Sequence, residues 1–315
     1  MAIKHRTTWI GQSLALIVIC GGAALLGQTS VEIRGVVAAN AKPELVQEGF
    51  TFTEGPVGTG DGGLYFSDIM GADKTFRLDS NGKISVYRSA TNGTNGLALL
   101  RDGSLGGAEG TGKRISKAGP RGSASTLTEG IAGMGLMAPN DLIADSKGGI
   151  YFTDPGPRPV VPGRKAYVYY LPSGASQPRI LDDSITRPNG LTLTNDGKTL
   201  IVDNTVGDTV FAFDVQSDGW VKNKRPFAKL HDVQPGQESG ADGLAIDSQD
   251  RMYITTATGI QVFDAKGTYL GTIKVPRQPA NCAFAGPGKR TLYITAREGL
   301  YKLAMLSQGP SRLGK

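Results

Sequence analysis

The sequence predicts an all-β chain folded as a six-bladed β-propeller, and three observations predict it. A short apolar strand motif recurs six times, glycine is abundant, and no stretch after residue 40 carries a helical period of useful length. The recurrences are GLYFSD (63–68), SLGGAE (104–109), GIYFTD (149–154), TLIVDN (199–204), RMYITT (251–256) and TLYITA (291–296). Their leading apolar residues, Leu64, Leu105, Ile150, Leu200, Met252 and Leu292, are spaced by 41, 45, 50, 52 and 40. A period of that length made only of strands and turns fits a blade of about four strands. A β-sandwich, the main all-β rival, does not repeat one motif six times. The 45 glycines among 315 residues, about twice ordinary usage, supply turns such as Asp102-Gly103, Gly148-Gly149 and Asp196-Gly197, because glycine reaches turn conformations without steric cost.

In chain order, residues 1–39 read as a leader. Lys4, His5 and Arg6 precede an uncharged apolar run from Trp9 to about Gly27, the form of a secretory signal peptide. An uncleaved membrane anchor is the alternative, and Ala39-Asn40-Ala41 has the small-x-small form of a cleavage site. Export to a periplasmic or extracellular space is expected, with residues 40–315 forming one propeller domain. The segment ELVQEGFTF after Pro43 is expected to pair with the last strand, Leu300 to Leu303, and so close the ring. Closure of that kind removes sheet edges.

Composition narrows the function. Lys and Arg number 34 against 28 Asp and Glu, a net charge of +6, but they are scattered singly and in pairs. That pattern offers nucleic acid no patch. With only Cys20, Cys282, His5 and His231 present, a disulfide framework and a zinc site of several Cys or His ligands are both excluded. No serine sits in a G-x-S-x-G phrase, which disfavours a nucleophilic serine hydrolase. His231, in a polar loop, reads as a surface histidine ahead of a catalytic base.

A second register carries chemistry. Ten or eleven residues before each leading apolar residue stands a polar one: Glu54, Asn95, Asn140, Asn189, Asp242 and Asn281. Equivalent positions of the innermost strands fall on one ring around a propeller axis, so these six are expected to gather at one end of the channel. The bland alternative is that Asn-Gly and Asp-Gly make hairpin turns. Against it, separate glycine turns already serve the hairpins, and a turn has no use for Glu54. Two carboxylates with up to four amides form an oxygen-rich set suited to one divalent cation, Ca²⁺ first, with Mg²⁺, Mn²⁺ or Zn²⁺ as alternatives.

Over about residues 44–304 the chain resembles the SMP-30/gluconolactonase/luciferin-regenerating-enzyme-like family of six-bladed propellers. The phrases that carry the resemblance are GFTFTEGPVG (49–58), LYFSDI (64–69), APNDLIADSKGGIYFTDPG (138–156), RPNGLTLTNDGKTLIVDN (187–204) and GADGLAIDSQDRMYI (240–254). The resemblance implies a divalent metal on Glu54, Asn189 and Asp242, with Asn140 beside metal and substrate. It also implies hydrolysis of sugar lactones such as gluconolactone. Asn95, Asn140, Glu109 and Asn281 are then candidate substrate contacts, and Asp242 the candidate general base. The chain departs from the family pattern at Ala138 and Pro139, where some members carry an Arg, at Gly110, where relatives often carry His, and at Ala241, where proline is usual.

The expected function is therefore a metal-dependent lactonase acting on a small-molecule substrate as a monomer, its metal polarising the lactone carbonyl. The alternatives are a phosphotriesterase-like hydrolase using the same metal, and a non-catalytic exported propeller that binds a ligand. The loop Pro155–Lys165, rich in Pro and Gly, is expected at the rim, either offering Arg158 or Arg164 to substrate or merely solvated.

Overall fold

The computed structural model describes residues 32–119 and 122–312. The expected leader lies outside the described residues as far as residue 31, with Cys20 and His5 in it. Six four-stranded antiparallel sheets form the six blades, and no α-helix is present among the described residues. Blade 1 is built from Thr53–Gly58, Leu64–Asp68, Lys74–Leu78 and Ile84–Ser89, innermost strand first. Blade 2 runs Thr94–Leu99, Leu105–Glu109, Arg114–Ala118, Ala124–Thr128, and blade 3 Leu142–Ala144, Ile150–Asp154, Tyr167–Leu171, Arg179–Asp182. Blade 4 runs Pro188–Leu193, Thr199–Asn204, Thr209–Val215, Val221–Lys229, and blade 5 Leu244–Ile246, Met252–Thr256, Gly259–Phe263, Tyr269–Ile273. Blade 6 joins Asn281–Ala285, Thr291–Ala296 and Gly299–Ala304 to Glu44–Glu48, which pairs antiparallel with Gly299–Ala304 as its outermost strand. The recurring motif is thus the second strand of every blade.

Period-two alternation explains why these strands stack radially. In blade 3, Ile150 and Phe152 face blade 2, packing with Ala98, Ala108 and Ile115. The intervening Tyr151 faces blade 4, packing with Leu191, Leu200 and Val202. Successive side chains of a strand point to opposite faces, and both faces of an inner blade strand are covered, so the runs are apolar throughout. The core accordingly divides into six clusters, one at each blade-to-blade interface. Each fully buried Tyr or Phe contributes roughly 1.5–3 kcal/mol, so the ring is held by its interfaces.

Two extensions complete it. Ile33, Val36 and Val37 are 0–3% exposed within the blade 5–6 cluster. The folded unit therefore takes in residues that precede the expected boundary at 39/40. At the other terminus the chain runs beneath blades 6, 5 and 4: Leu306 donates its N–H to Val36 O (2.9 Å) and Gln308 O accepts from Ser248 (2.8 Å). Arg312 donates to Thr192 Oγ1 (3.0 Å) and Leu193 O (2.7 Å), at the far end of blade 4's innermost strand.

Candidate active site

The innermost strands of neighbouring blades pack side by side around the whole ring. The six polar residues of the register stand at their leading ends, on one face. Adjacent blades are stitched together there by backbone and hydroxyl groups. Ser67 Oγ donates to Asn95 O (2.8 Å), Gly96 N–H to Asn140 O (2.8 Å), and Thr153 Oγ1 to Asn189 O (2.6 Å). Blade 5 meets blade 6 where Gly243 N–H and Thr255 Oγ1 both donate to Ala280 O (2.7 and 2.8 Å). Blade 6 returns to blade 1 through Thr53, whose N–H donates to Arg297 O (2.7 Å).

This stitching, rather than a turn, is why glycine follows the ring residues Asn189 and Asp242. A Cβ on Gly190 would lie 2.1 Å from Asp242 O, and one on Gly243 1.9 Å from the Asn281 amide. Neither glycine has a positive φ. The glycines let one blade's ring residue lie directly on the backbone of the next.

The side chains differ in what they leave available. Asn189 is 7% exposed and donates Nδ2 to Thr205 Oγ1 (3.2 Å), which fixes the amide and leaves its buried Oδ1 without a hydrogen bond. Asn95 Oδ1 is likewise buried and unpaired. Such carbonyl oxygens are costly unless a donor or a cation meets them. Asn281 turns Oδ1 to its own chain, accepting from Cys282 N–H (2.9 Å), and so has Nδ2 to offer. Glu54 is buried, with Oε2 accepting from Gly55 N–H (2.9 Å), and Asp242 and Asn140 are half-buried. Among the described residues no three of His, Cys, Asp and Glu come together. The donors that fit a cation are therefore the two ring carboxylates with the orphaned amide oxygens, a hard oxygen set.

Glu109, expected to meet substrate, is placed otherwise. Its carboxylate is fully buried, with Oε2 accepting from Arg114 (2.7 Å) and Asn92 (2.9 Å) and Oε1 from Arg88 (3.0 Å). It binds blade 1 to blade 2 beneath the mouth. Burial works to raise its pKa, but Arg114, Ser116, Asn92 and Arg88 outweigh it and hold the carboxyl below its ordinary value. A depressed carboxyl contributes stability that is full above the unfolded-chain value, near 4.3, and is lost as pH falls through the folded one. Glu109→Gln strands two partly buried guanidinium groups and is expected to cost about 3 kcal/mol at pH 7. Urea unfolding at pH 7 and pH 3.5 checks this, since the gap between variant and parent should narrow at the lower pH.

Asp68 and Asp154, which end matching strands, cap the loops leading into their own blades. Asp68 accepts from Thr51 and Phe52 N–H (3.0 and 2.8 Å), and Asp154 from Met137 and Ala138 N–H (2.7 and 2.9 Å). Burial nevertheless pushes the Asp154 carboxyl up.

Above the ring, Arg158 pairs with Glu238 (2.7 Å), tying the 155–165 loop to the loop between blades 4 and 5. Arg187, two residues before Asn189, is half-buried, and its guanidinium donates to the Pro155 and Gly156 carbonyls (3.5 and 3.4 Å). Burial pushes its pKa down, with Arg158 adding to the effect and Glu238 and Asp242 opposing it. Arg187 went unnoticed in the sequence, although the RPNG phrase contains it. His231 stacks on Tyr269 of blade 5's outermost strand (3.9 Å between ring centres), away from the axis. A cavity of about 740 Å³ opens between blades 2 and 3 beside Ala138.

The comparisons with known proteins agree with this fold. The chain is 26% identical over 304 residues to a gluconolactonase of Zymomonas mobilis, covering 87% of this chain and 84% of that one. A solved gluconolactonase of Xanthomonas campestris superposes with a TM-score of 0.78 at 29% identity, covering 88% and 94% of the two chains. A calcium-binding regucalcin of Agrobacterium tumefaciens shares the fold, with a TM-score of 0.74 at 17% identity over 85% and 95%. The family model described as the SMP-30/Gluconolactonase/LRE-like region matches residues 52–298, and this chain belongs to that family.

Proposed function

We propose that the chain is a lactonase that opens sugar lactones with the help of one divalent cation at the leading end of the channel. The observation that carries the reading is the orphaned Oδ1 of Asn189, whose amide is fixed by donation of Nδ2 to Thr205, on the same face as Glu54 and Asp242. Glu54, Asn189 and Asp242 would hold the ion, with Asn140 beside it, and Ca²⁺ suits the donors best. The calcium-binding relative supports that choice. When bound, the ion supplies Lewis-acid polarisation of the lactone carbonyl.

The chain's own residues do the rest. Asp242 accepts the proton of the attacking water at its carboxylate, the task of a positioned general base. Asn140 and Asn95 orient the ring hydroxyls, and the buried Asn281 offers Nδ2. Hydrolysis breaks the ring ester bond and releases a hydroxy acid.

Calorimetric titration of Ca²⁺ into the chelator-treated protein, run beside hydrolysis of D-glucono-1,5-lactone, tests the reading. One ion per chain should bind, and turnover should vanish with chelator and return with metal. A folded protein that binds no divalent ion, or hydrolyses no lactone when loaded, overturns it. A rate on phosphotriesters above that on lactones would assign the site to the other hydrolase class.

A further inference from the structure

We propose that the mouth selects lactones bearing an anionic group, a carboxylate or a phosphate, at the end of the molecule remote from the ring ester; this rests on the lactonase reading and names its substrate class. The cavity of about 740 Å³ beside Ala138 is lined by Lys113 from the blade 2 hairpin and by Arg164 from the 155–165 loop. Ala138, two residues before Asn140, is on its wall. A smaller adjoining cavity shares Met137, Pro157, Val161 and Arg164 with it and adds Arg187.

None of these three cations has a carboxylate within ion-pair distance among the described residues. Several of the acidic groups nearby are committed elsewhere. Glu109 serves Arg88 and Arg114, Glu238 serves Arg158, Asp183 serves Lys165, and Asp154 caps three backbone N–H groups. No Asp or Glu lines either cavity. The remaining wall is Gly, Pro, Ala, Leu, Met and Val, with Thr111 the one hydroxyl in the larger cavity. Lysine and arginine side chains only donate. A polyol tail, which needs acceptors as well as donors, finds few side-chain acceptors there, and the Gly135 carbonyl of the wall already accepts from Arg164 (3.3 Å). A carboxylate or phosphate, which only accepts, is well served and meets uncompensated positive charge. With the ring carboxylates neutralised by a divalent ion, the mouth keeps a positive field that draws such substrates in.

The test compares kcat/KM on D-glucono-1,5-lactone with that on its 6-carboxylate and 6-phosphate counterparts in the metal-loaded enzyme, at low and high salt. The anionic lactones should be favoured by about tenfold or more, mainly through KM, with the ratio shrinking as salt rises. In the Lys113→Gln/Arg164→Gln double variant the ratio should fall towards one. A parent ratio near one, or a ratio that survives the double substitution, overturns the proposal. Binding of 1,5-anhydroglucitol 6-phosphate against 1,5-anhydroglucitol separates the two readings, because neither can be hydrolysed. Preference for the phosphate without turnover of any lactone would sink the lactonase reading alone, whereas equal binding beside intact lactone turnover would sink only the charge selectivity.

Discussion

Asp242→Asn is expected to lower kcat/KM on gluconolactone by about a thousandfold or more while the metal-free protein keeps its stability to within about 1 kcal/mol. The two effects separate because Asp242 is a half-buried group at the leading end of blade 5, and the packing beneath it does not depend on its charge. Its N–H bond to Thr255 O (3.1 Å) is made by the backbone and survives the change. The site loses one of two ring carboxylates and its proton acceptor together. Ca²⁺ affinity should therefore fall alongside the rate, since affinity in oxygen sites follows the count of charged ligands. Calorimetry and initial rates on the same preparation check this. Full activity in the variant would remove Asp242 from the chemistry.

Gly190→Ala is expected to cost about 3 kcal/mol of stability and most of the activity with it. The added methyl would lie 2.1 Å from Asp242 O and 2.8 Å from Asp203 Oδ2. Overpacking of this kind ordinarily costs 1–3 kcal/mol, occasionally more, and here the obstacle is backbone that cannot rotate away. Blade 4 cannot yield easily either, because Thr153 already holds Asn189 O at 2.6 Å. Relief must come by moving blade 5, which carries Asp242 out of register with Asn189. Thermal unfolding and Ca²⁺ titration together distinguish this from a purely structural loss: a variant equally unstable yet binding Ca²⁺ as the parent does would show that the ring tolerates the displacement.

The repeat made the architecture legible because each blade must bury the same strand faces, and so reuses one phrase. The ring was legible for a related reason: equal offsets from the second strand place Glu54, Asn95, Asn140, Asn189, Asp242 and Asn281 at one end of six parallel positions. What escaped was everything decided between blades. Glu109 is held by Arg88, which lies on another blade, and no local pattern signals that pairing. The role of Thr205 in turning the Asn189 amide is set by where one loop folds back. Ile33, Val36 and Val37 belong to the core because they pack against blades 5 and 6, which are far from them in the chain. The glycines after the ring residues were visible, and their link to close approach of neighbouring backbones was not.

The pairing of Glu44–Glu48 with Gly299–Ala304 also has a bearing on synthesis. From Glu48 to Gly299 is 251 residues, which a ribosome spans in on the order of 10–50 s. For that interval the first strand of the nascent chain waits without its partner, and the last blade cannot form. An edge strand left open so long invites association with other chains. The segment is short and carries a Glu at each end, and charge on a brief strand is what discourages such pairing. The enzyme's activity should therefore appear only after Gly299–Ala304 has been made and can meet Glu44–Glu48.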